Sequence, residues 1–160
     1  MTAIAAINRP RLLLADEPSS SLDADSQERI LSLLMEMNRK YKTAILIVSH
    51  DLSIIREFAS RFLVMYAGKI VEEGPSSSLF SPLHPYTEAL IGAIPHKERK
   101  GQELENIPGK IPSVEDNLPG CPFAPRCKKA QEACTQSFPP EKEIAGGKVH
   151  CFYPLGETNG

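Results

Sequence analysis

Residues 12–23 read Leu-Leu-Leu-Ala-Asp-Glu-Pro-Ser-Ser-Ser-Leu-Asp, an apolar run that ends in two adjacent carboxylates and reaches a third after a Ser-rich turn. Leu12 to Ala15 has the length and apolarity of a strand buried on both faces of a parallel sheet, where helices on each side erase the polar alternation of a half-exposed strand. Ligands of α/β sheets bind at the C-terminal edge of the strands, which is where this stretch places its acids. There Asp16 can hold Mg²⁺ directly or through water, and Glu17 can orient and deprotonate a water that attacks a γ-phosphate. Two adjacent acids at a buried strand end are costly without such a role.

Further along, a second apolar run, Ala44 to Val48, ends in Ser49-His50-Asp51. Between the two runs, Asp25 to Tyr41 places Ile30, Leu34, Met37 and Tyr41 on one helical face, with Asp25 and Glu28 spaced like an N-terminal cap. Strand, crossover helix and strand make a right-handed βαβ unit with both strand ends on one edge. Glu17 and His50 are therefore expected to face one nucleotide.

In that order, Asp16-Glu17-Pro18, Ser21-Leu22-Asp23 and Ser49-His50-Asp51 resemble the Walker B motif, D-loop and switch histidine of ABC-type ATPases, the engines of ATP-driven transporters. The resemblance implies Glu17 and His50 as catalytic residues, with His50 in contact with the γ-phosphate. It implies Asp16 at the Mg²⁺ of a bound ATP and Asp23 in communication with the partner subunit across the nucleotide. Asp23 can also cap the helix that follows it. The chain has no G-x-x-x-x-G-K-[ST] loop to cradle phosphates, and neither the Gln-containing loop nor the Leu-Ser-Gly-Gly signature of this family. Residues 2–9 resemble the end of the helix that follows that signature. The chain is thus expected to be the C-terminal part of a nucleotide-binding subunit, which taken alone neither binds ATP well nor hydrolyses it.

Arg61 to Tyr66 and the stretch through Val71 flank Ala67-Gly68-Lys69 and read as a hairpin, similar to the paired strands that close the ABC core. Ile54 to Ala59 reads as a short helix before it. Pro75, Ser76 to Ser78 and Pro82 mark a break, with a short helix across Ser77 to Phe80. A helix across Tyr86 to Ile94 follows His84-Pro85, where His84 reads as part of a capped turn. Leu83-His84-Pro85-Tyr86-Thr87-Glu88-Ala89-Leu90 and Asn106-Ile107-Pro108-Gly109-Lys110-Ile111-Pro112-Ser113 resemble the C-terminal extension of dipeptide and oligopeptide transporter ATPases, versions of which nickel and glutathione importers share.

All four cysteines, Cys121, Cys127, Cys134 and Cys151, lie in this Pro-rich extension, which has little apolar sequence to hold it together. Disulfides need an oxidising compartment that an ATP-consuming cytoplasmic subunit does not occupy. Four thiolates around one metal centre would supply the missing folding energy. The spacings C-x5-C, C-x6-C and C-x16-C do not match a C-x2-4-C zinc knuckle. The family resemblance implies a [4Fe-4S] cluster, with Zn²⁺ or free thiols as alternatives. His150 reads as a solvent-exposed neighbour of Cys151.

The fold expected is α/β. Residues 1–75 would form the C-terminal half of an ABC-ATPase parallel-sheet core, a P-loop NTPase fold with the Walker A segment absent. Residues 76–160 would form a Pro/Cys-rich extension of low regular structure. The resemblance implies a second ABC ATPase subunit as homo- or heterodimer partner, transmembrane permease subunits, and an extracytoplasmic substrate-binding protein acting indirectly, in the import of peptides at the cytoplasmic face of the membrane. No apolar stretch reaches the roughly 20 residues needed to span a bilayer, no signal peptide is evident, and a net charge of −2 with interspersed signs gives no nucleic-acid footprint. The competing reading is a non-catalytic iron-sulfur or zinc module with a vestigial Walker B half. An ABC ATPase of DNA repair or translation is disfavoured by the His-Pro-Tyr and cysteine features.

Overall fold

The computed structural model describes residues 10–20, 22–94, 107–113, 116 and 118–156. The reading of residues 2–9 as a helix end lies outside them. The chain divides into two compact units, Met1–Ser60 and Arg61–Gly160, each mixed α/β with a small sheet.

In the first unit, β1 (Leu12–Asp16) pairs in parallel with β2 (Ala44–Val48), Leu12 opposite Ala44 through to Asp16 opposite Val48. The crossover is α1 (Ala24–Tyr41). Its cap is Asp23, whose Oδ1 accepts the Ser26 N–H at 3.0 Å and whose Oδ2 accepts the Ser26 hydroxyl at 2.9 Å. A cap must stand outside the helix with extended backbone, and Asp23 does so at ψ 162°. The expected cap residue Asp25 lies inside the first turn, where its charge suits the helix dipole. The buried stripe of α1 is Leu31, Leu34 and Met37, while Tyr41 is exposed and Ile30 is only half-buried. The apolar residues at 30, 31, 33 and 34 border one another on the helix surface, so spacing alone admits several faces; packing selects Leu31. Lys42 ends the helix in the left-handed region at φ 56°, and the Asn38 amide donates to the Thr43 carbonyl at 2.8 Å. The buried Thr43 hydroxyl donates to the Pro10 carbonyl at 2.8 Å, tying the helix exit to the start of β1.

Both strands alternate rather than being buried throughout. Leu13, Ala15, Ile45 and Ile47 are half-buried, whereas Leu12, Leu14, Leu46 and Val48 are exposed, Leu14 at 67%. Burial of both faces needs a covering layer on each, and the described residues supply one, α1. A short helix, α2 (Leu52–Phe58), follows β2 and is capped by Asp51, which accepts the Ser53 N–H at 2.8 Å.

The second unit opens with the expected hairpin, β3 (Arg61–Tyr66) and β4 (Lys69–Pro75). Its two-residue turn has Ala67 at φ 45° and Gly68 at φ 77°, the mirror-image turn that matches strand twist. The chain then makes a 3-10 turn, Ser76–Ser78, and α3 (Pro85–Gly92). Further on lie a second 3-10 turn, Ala124–Arg126, the short α4 (Glu132–Gln136), and a second hairpin, β5 (Glu141–Ile144) with β6 (Gly147–His150). Strand β6 pairs antiparallel with β4, Glu72 opposite Val149, giving a four-stranded sheet in the order β3-β4-β6-β5. The extension therefore has regular structure where little was expected, and the hairpin 61–75 goes with it because β4 is hydrogen-bonded to β6. The core is Phe62, Val64, Tyr66, Val71, Leu79, Phe123 and Val149. Each such side chain contributes about 1.5–3 kcal/mol on burial.

Arg126 fastens the approach to the cysteine segment. Its Nε and Nη2 donate to the carbonyls of Pro108 and Ile107 at 2.8 and 2.7 Å, and its Nη1 donates to the Tyr66 hydroxyl at 3.0 Å. Tyr66 in turn meets Tyr86 and Phe123 edge-on, at ring-centre distances of 4.5 and 5.3 Å.

Candidate functional site

At the C-terminal edge of the parallel pair, Glu17 leaves β1 with φ 44°, a left-handed conformation that costs a non-glycine residue about 1–2 kcal/mol. Its N–H is anchored to the Val48 carbonyl at 2.9 Å, so the turn is fixed by the neighbouring strand. Backbone strain held in this way concentrates at functional positions. The Glu17 side chain reaches His50: Oε1 accepts from the ring Nδ1 at 2.8 Å and from the His50 backbone N–H at 3.0 Å. Both contacts fall on one oxygen, and Oε2 makes no hydrogen bond among the described residues. The hydrogen bond from Glu17, and then its charge, hold the His50 imidazole above its ordinary range, with a smaller push from Asp51. With Nδ1–H spent on Glu17, Nε2 is the ring atom that can address a ligand.

Asp16 is exposed at the end of β1, and its carboxylate makes no hydrogen bond or ion pair among the described residues. It is available to a cation. Asp23 is occupied as the α1 cap, and the Ser26 N–H and hydroxyl pull its carboxyl below the usual range.

In the second unit, Cys121, Cys127, Cys134 and Cys151 all line one enclosed apolar cavity of about 20 Å³, together with His84 and Phe123. A backbone hydrogen bond from the Cys121 N–H to the Cys134 carbonyl, 2.8 Å, draws two of them together. Gly120 makes that approach feasible, because a Cβ there would stand 2.2 Å from the Cys134 carbonyl oxygen. Burial pushes the thiols of Cys121 and Cys127 up and that of Cys151 to about 11, and for Cys151 the other three cysteines add to the rise. Against that, backbone N–H groups of Phe123 and Ala124 point at Cys121, that of Tyr153 at Cys151, and that of Lys129 at Cys127. N–H donors aimed at sulfur favour thiolate over thiol.

The donor set thus fits a thiolate-bound centre in kind and number. Among the described residues, however, no group of three or more His, Cys, Asp or Glu side chains stands in a metal-holding arrangement. A cavity of this size has room for about one water-sized occupant.

His84 caps α3 as expected of it, its Nδ1 accepting the Tyr86 N–H at 3.0 Å. It is also one of the most deeply buried side chains, and burial lowers its pKa to about 4. Glu72 holds it in place. This buried carboxylate accepts the backbone N–H of Leu83 at 2.9 Å and of His84 at 2.8 Å. Sequence reading missed Glu72, which sits in a Val-Glu-Glu-Gly stretch with the pattern of an exposed strand. His150 is half-buried rather than solvent-exposed, donating from Nδ1 to the Pro139 carbonyl at 3.1 Å and lying against Phe138.

Comparison with known proteins adds the lineage. Residues 71–134 match the family described as oligopeptide/dipeptide transporter, C-terminal region. The dipeptide transport ATP-binding protein DppD of Haemophilus influenzae is 42% identical over 158 residues, 98% of this chain and 48% of that relative. The oligopeptide transport ATP-binding protein OppD of Escherichia coli is 41% identical over 159 residues, 98% of this chain and 47% of that relative. The DppD of Escherichia coli is 39% identical over 160 residues, 99% of this chain and 49% of that relative. The chain spans about half the length of these relatives. Residues 71–134 thus match the oligopeptide/dipeptide transporter C-terminal region, and the chain as a whole is similar, over about half their length, to peptide-transport ATP-binding proteins.

Proposed function

We propose that this chain is the C-terminal portion of an ATP-hydrolysing subunit that powers peptide import, with its catalytic edge in residues 1–75 and its family-specific extension in 76–160. The observation that carries the reading is the contact of Glu17 with His50 at the end of a parallel strand pair. The homology to transport ATP-binding proteins supports it.

In this reading Asp16 binds the Mg²⁺ that accompanies ATP. Glu17, held by Oε1, presents Oε2 to a water and takes its proton as that water attacks the γ-phosphate. His50, kept protonated by Glu17 over a wider pH range than a free imidazole, offers Nε2–H to a γ-phosphate oxygen. Asp23 fixes the start of α1 and faces the partner subunit. The phosphate-cradling loop and the signature come from sequence that this chain lacks, so activity requires them to be supplied. A second ATPase subunit, as homo- or heterodimer, and transmembrane permease subunits complete the assembly at the cytoplasmic face of the membrane, with an extracytoplasmic binding protein delivering peptide. No helix among the described residues is long and apolar enough to cross a membrane.

Cys121, Cys127, Cys134 and Cys151 would hold the extension's metal centre, a [4Fe-4S] cluster with Zn²⁺ as the alternative. Bound, such a centre supplies folding energy to the segment around α4. The test of the ATPase reading is turnover by this chain joined to the N-terminal half of a DppD relative, with and without Glu17→Gln. A fall of about 10²–10⁴-fold is expected for loss of a general base. Equal rates would remove Glu17 from that role and favour a non-catalytic metal module.

A further inference from the structure

The cysteine cavity has one wall that is neither thiol nor hydrocarbon. His84 Nε2 stands 4.0 Å from Cys121 Sγ, both groups buried. Because the Tyr86 N–H donates to Nδ1 at 3.0 Å, Nδ1 carries a lone pair and the ring proton is on Nε2, the atom facing sulfur. Two further observations hold the ring there. Glu72 pins the His84 backbone N–H at 2.8 Å, and the Phe123 ring lies 6.1 Å away, centre to centre. A neutral thiol is a weak acceptor, which accounts for the long contact. A thiolate would draw the N–H in, since charged acceptors make shorter and stronger hydrogen bonds.

We infer that His84 is a positioning residue of the cysteine site, its Nε2–H being the side-chain donor to the Cys121 sulfur when that sulfur is a metal-bound thiolate. The inference rests on the reading of the four cysteines as a thiolate-bound centre and assigns a residue outside that set. The ring acts through sulfur rather than touching the metal, as outer-shell donors to ligands do. It gives the His-Pro-Tyr stretch a task beyond starting a helix: the Tyr86 N–H sets the ring's tautomer.

The test is a Co²⁺ titration of the reduced full chain, following the thiolate-to-cobalt charge-transfer absorbance, with His84→Asn and His84→Ala beside the unchanged chain. Asparagine keeps an N-cap acceptor for the Tyr86 N–H but cannot extend a donor to Cys121. Alanine loses both. The expected result is Co²⁺ binding about 10-fold weaker in His84→Asn, with the charge-transfer band moved to lower energy because sulfur without its hydrogen bond is the stronger electron donor. If His84→Asn matches the unchanged chain in affinity and band while only His84→Ala differs, His84 is a helix cap and nothing more. If the unchanged chain shows no thiolate-to-cobalt band, the reading of the four cysteines fails and this inference with it.

Discussion

Oε1 of Glu17 accepts two hydrogen bonds from His50, one from the ring at 2.8 Å and one from the backbone at 3.0 Å. The backbone bond orients the carboxylate whatever the ring does, whereas the ring bond depends on protonation. A histidine held above its ordinary range loses that stabilisation as pH rises through its folded midpoint, and keeps it fully below about 6.5. The His50 ring proton should therefore titrate by NMR above 6.5, and Glu17→Ala should return the midpoint to about 6.5. An unmoved midpoint in that variant would mean that the contact does not persist in solution.

Asp23 makes the opposite prediction. Its carboxyl lies below the usual range because Ser26 donates to it, so the cap is at full strength above the ordinary carboxyl pKa and weakens as pH falls through the folded one. Asp23→Ala should lower the helical signal of α1 at neutral pH. Asp23→Asn should keep the cap and flatten the acid dependence. Far-UV circular dichroism of the three proteins between pH 2 and 7 checks both.

Glu72 is buried and accepts two backbone N–H groups. Glu72→Ala leaves both donors without their acceptor and should cost about 2–6 kcal/mol, at roughly 1–3 kcal/mol per unsatisfied group. Glu72→Gln turns an amide N–H₂ toward one of the donors and should recover part of that loss. Denaturant melts with a probe in the second unit give the order: unchanged chain, Gln, Ala.

Gly120→Ala should open the cysteine cavity. The new Cβ would meet the Cys134 carbonyl oxygen at 2.2 Å and Thr135 backbone atoms at 2.7 and 2.8 Å, and backbone cannot step aside as the end of a side chain can. The Cys121–Cys134 hydrogen bond is lost first. All four thiols should then react faster with an aromatic disulfide reagent, while the His50 resonance in the other unit is unchanged.

What was legible in the sequence was local. The hairpin around Ala67-Gly68-Lys69, the strand ends carrying Glu17 and His50, and the turn before α3 each follow from residues within a few positions of one another. Partners distant in sequence were not legible. Nothing in Lys69–Pro75 announces that Glu72 binds the backbone of Leu83 and His84, or that β4 pairs with Gly147–His150. Charged residues in β5 and β6 reduced their apolar signal, so the second hairpin read as irregular chain; its turn at Ala145-Gly146, with φ of 50° and 79°, was the clue available. The alternation of exposure in β1 was hidden for another reason: an all-apolar run predicts cover on both faces, and whether cover exists is not a property of the run.

The pairing of β4 with β6 also orders events during synthesis. Strands β3 and β4 are joined by a two-residue turn and can pair as soon as both are made, but β4's other edge waits for residues 147–150, far later in the sequence. Contacts so far apart in sequence form late. Cys121, Cys127 and Cys134 are thus translated, and meet the cell's thiol chemistry, before β6 docks and carries Cys151 in beside them.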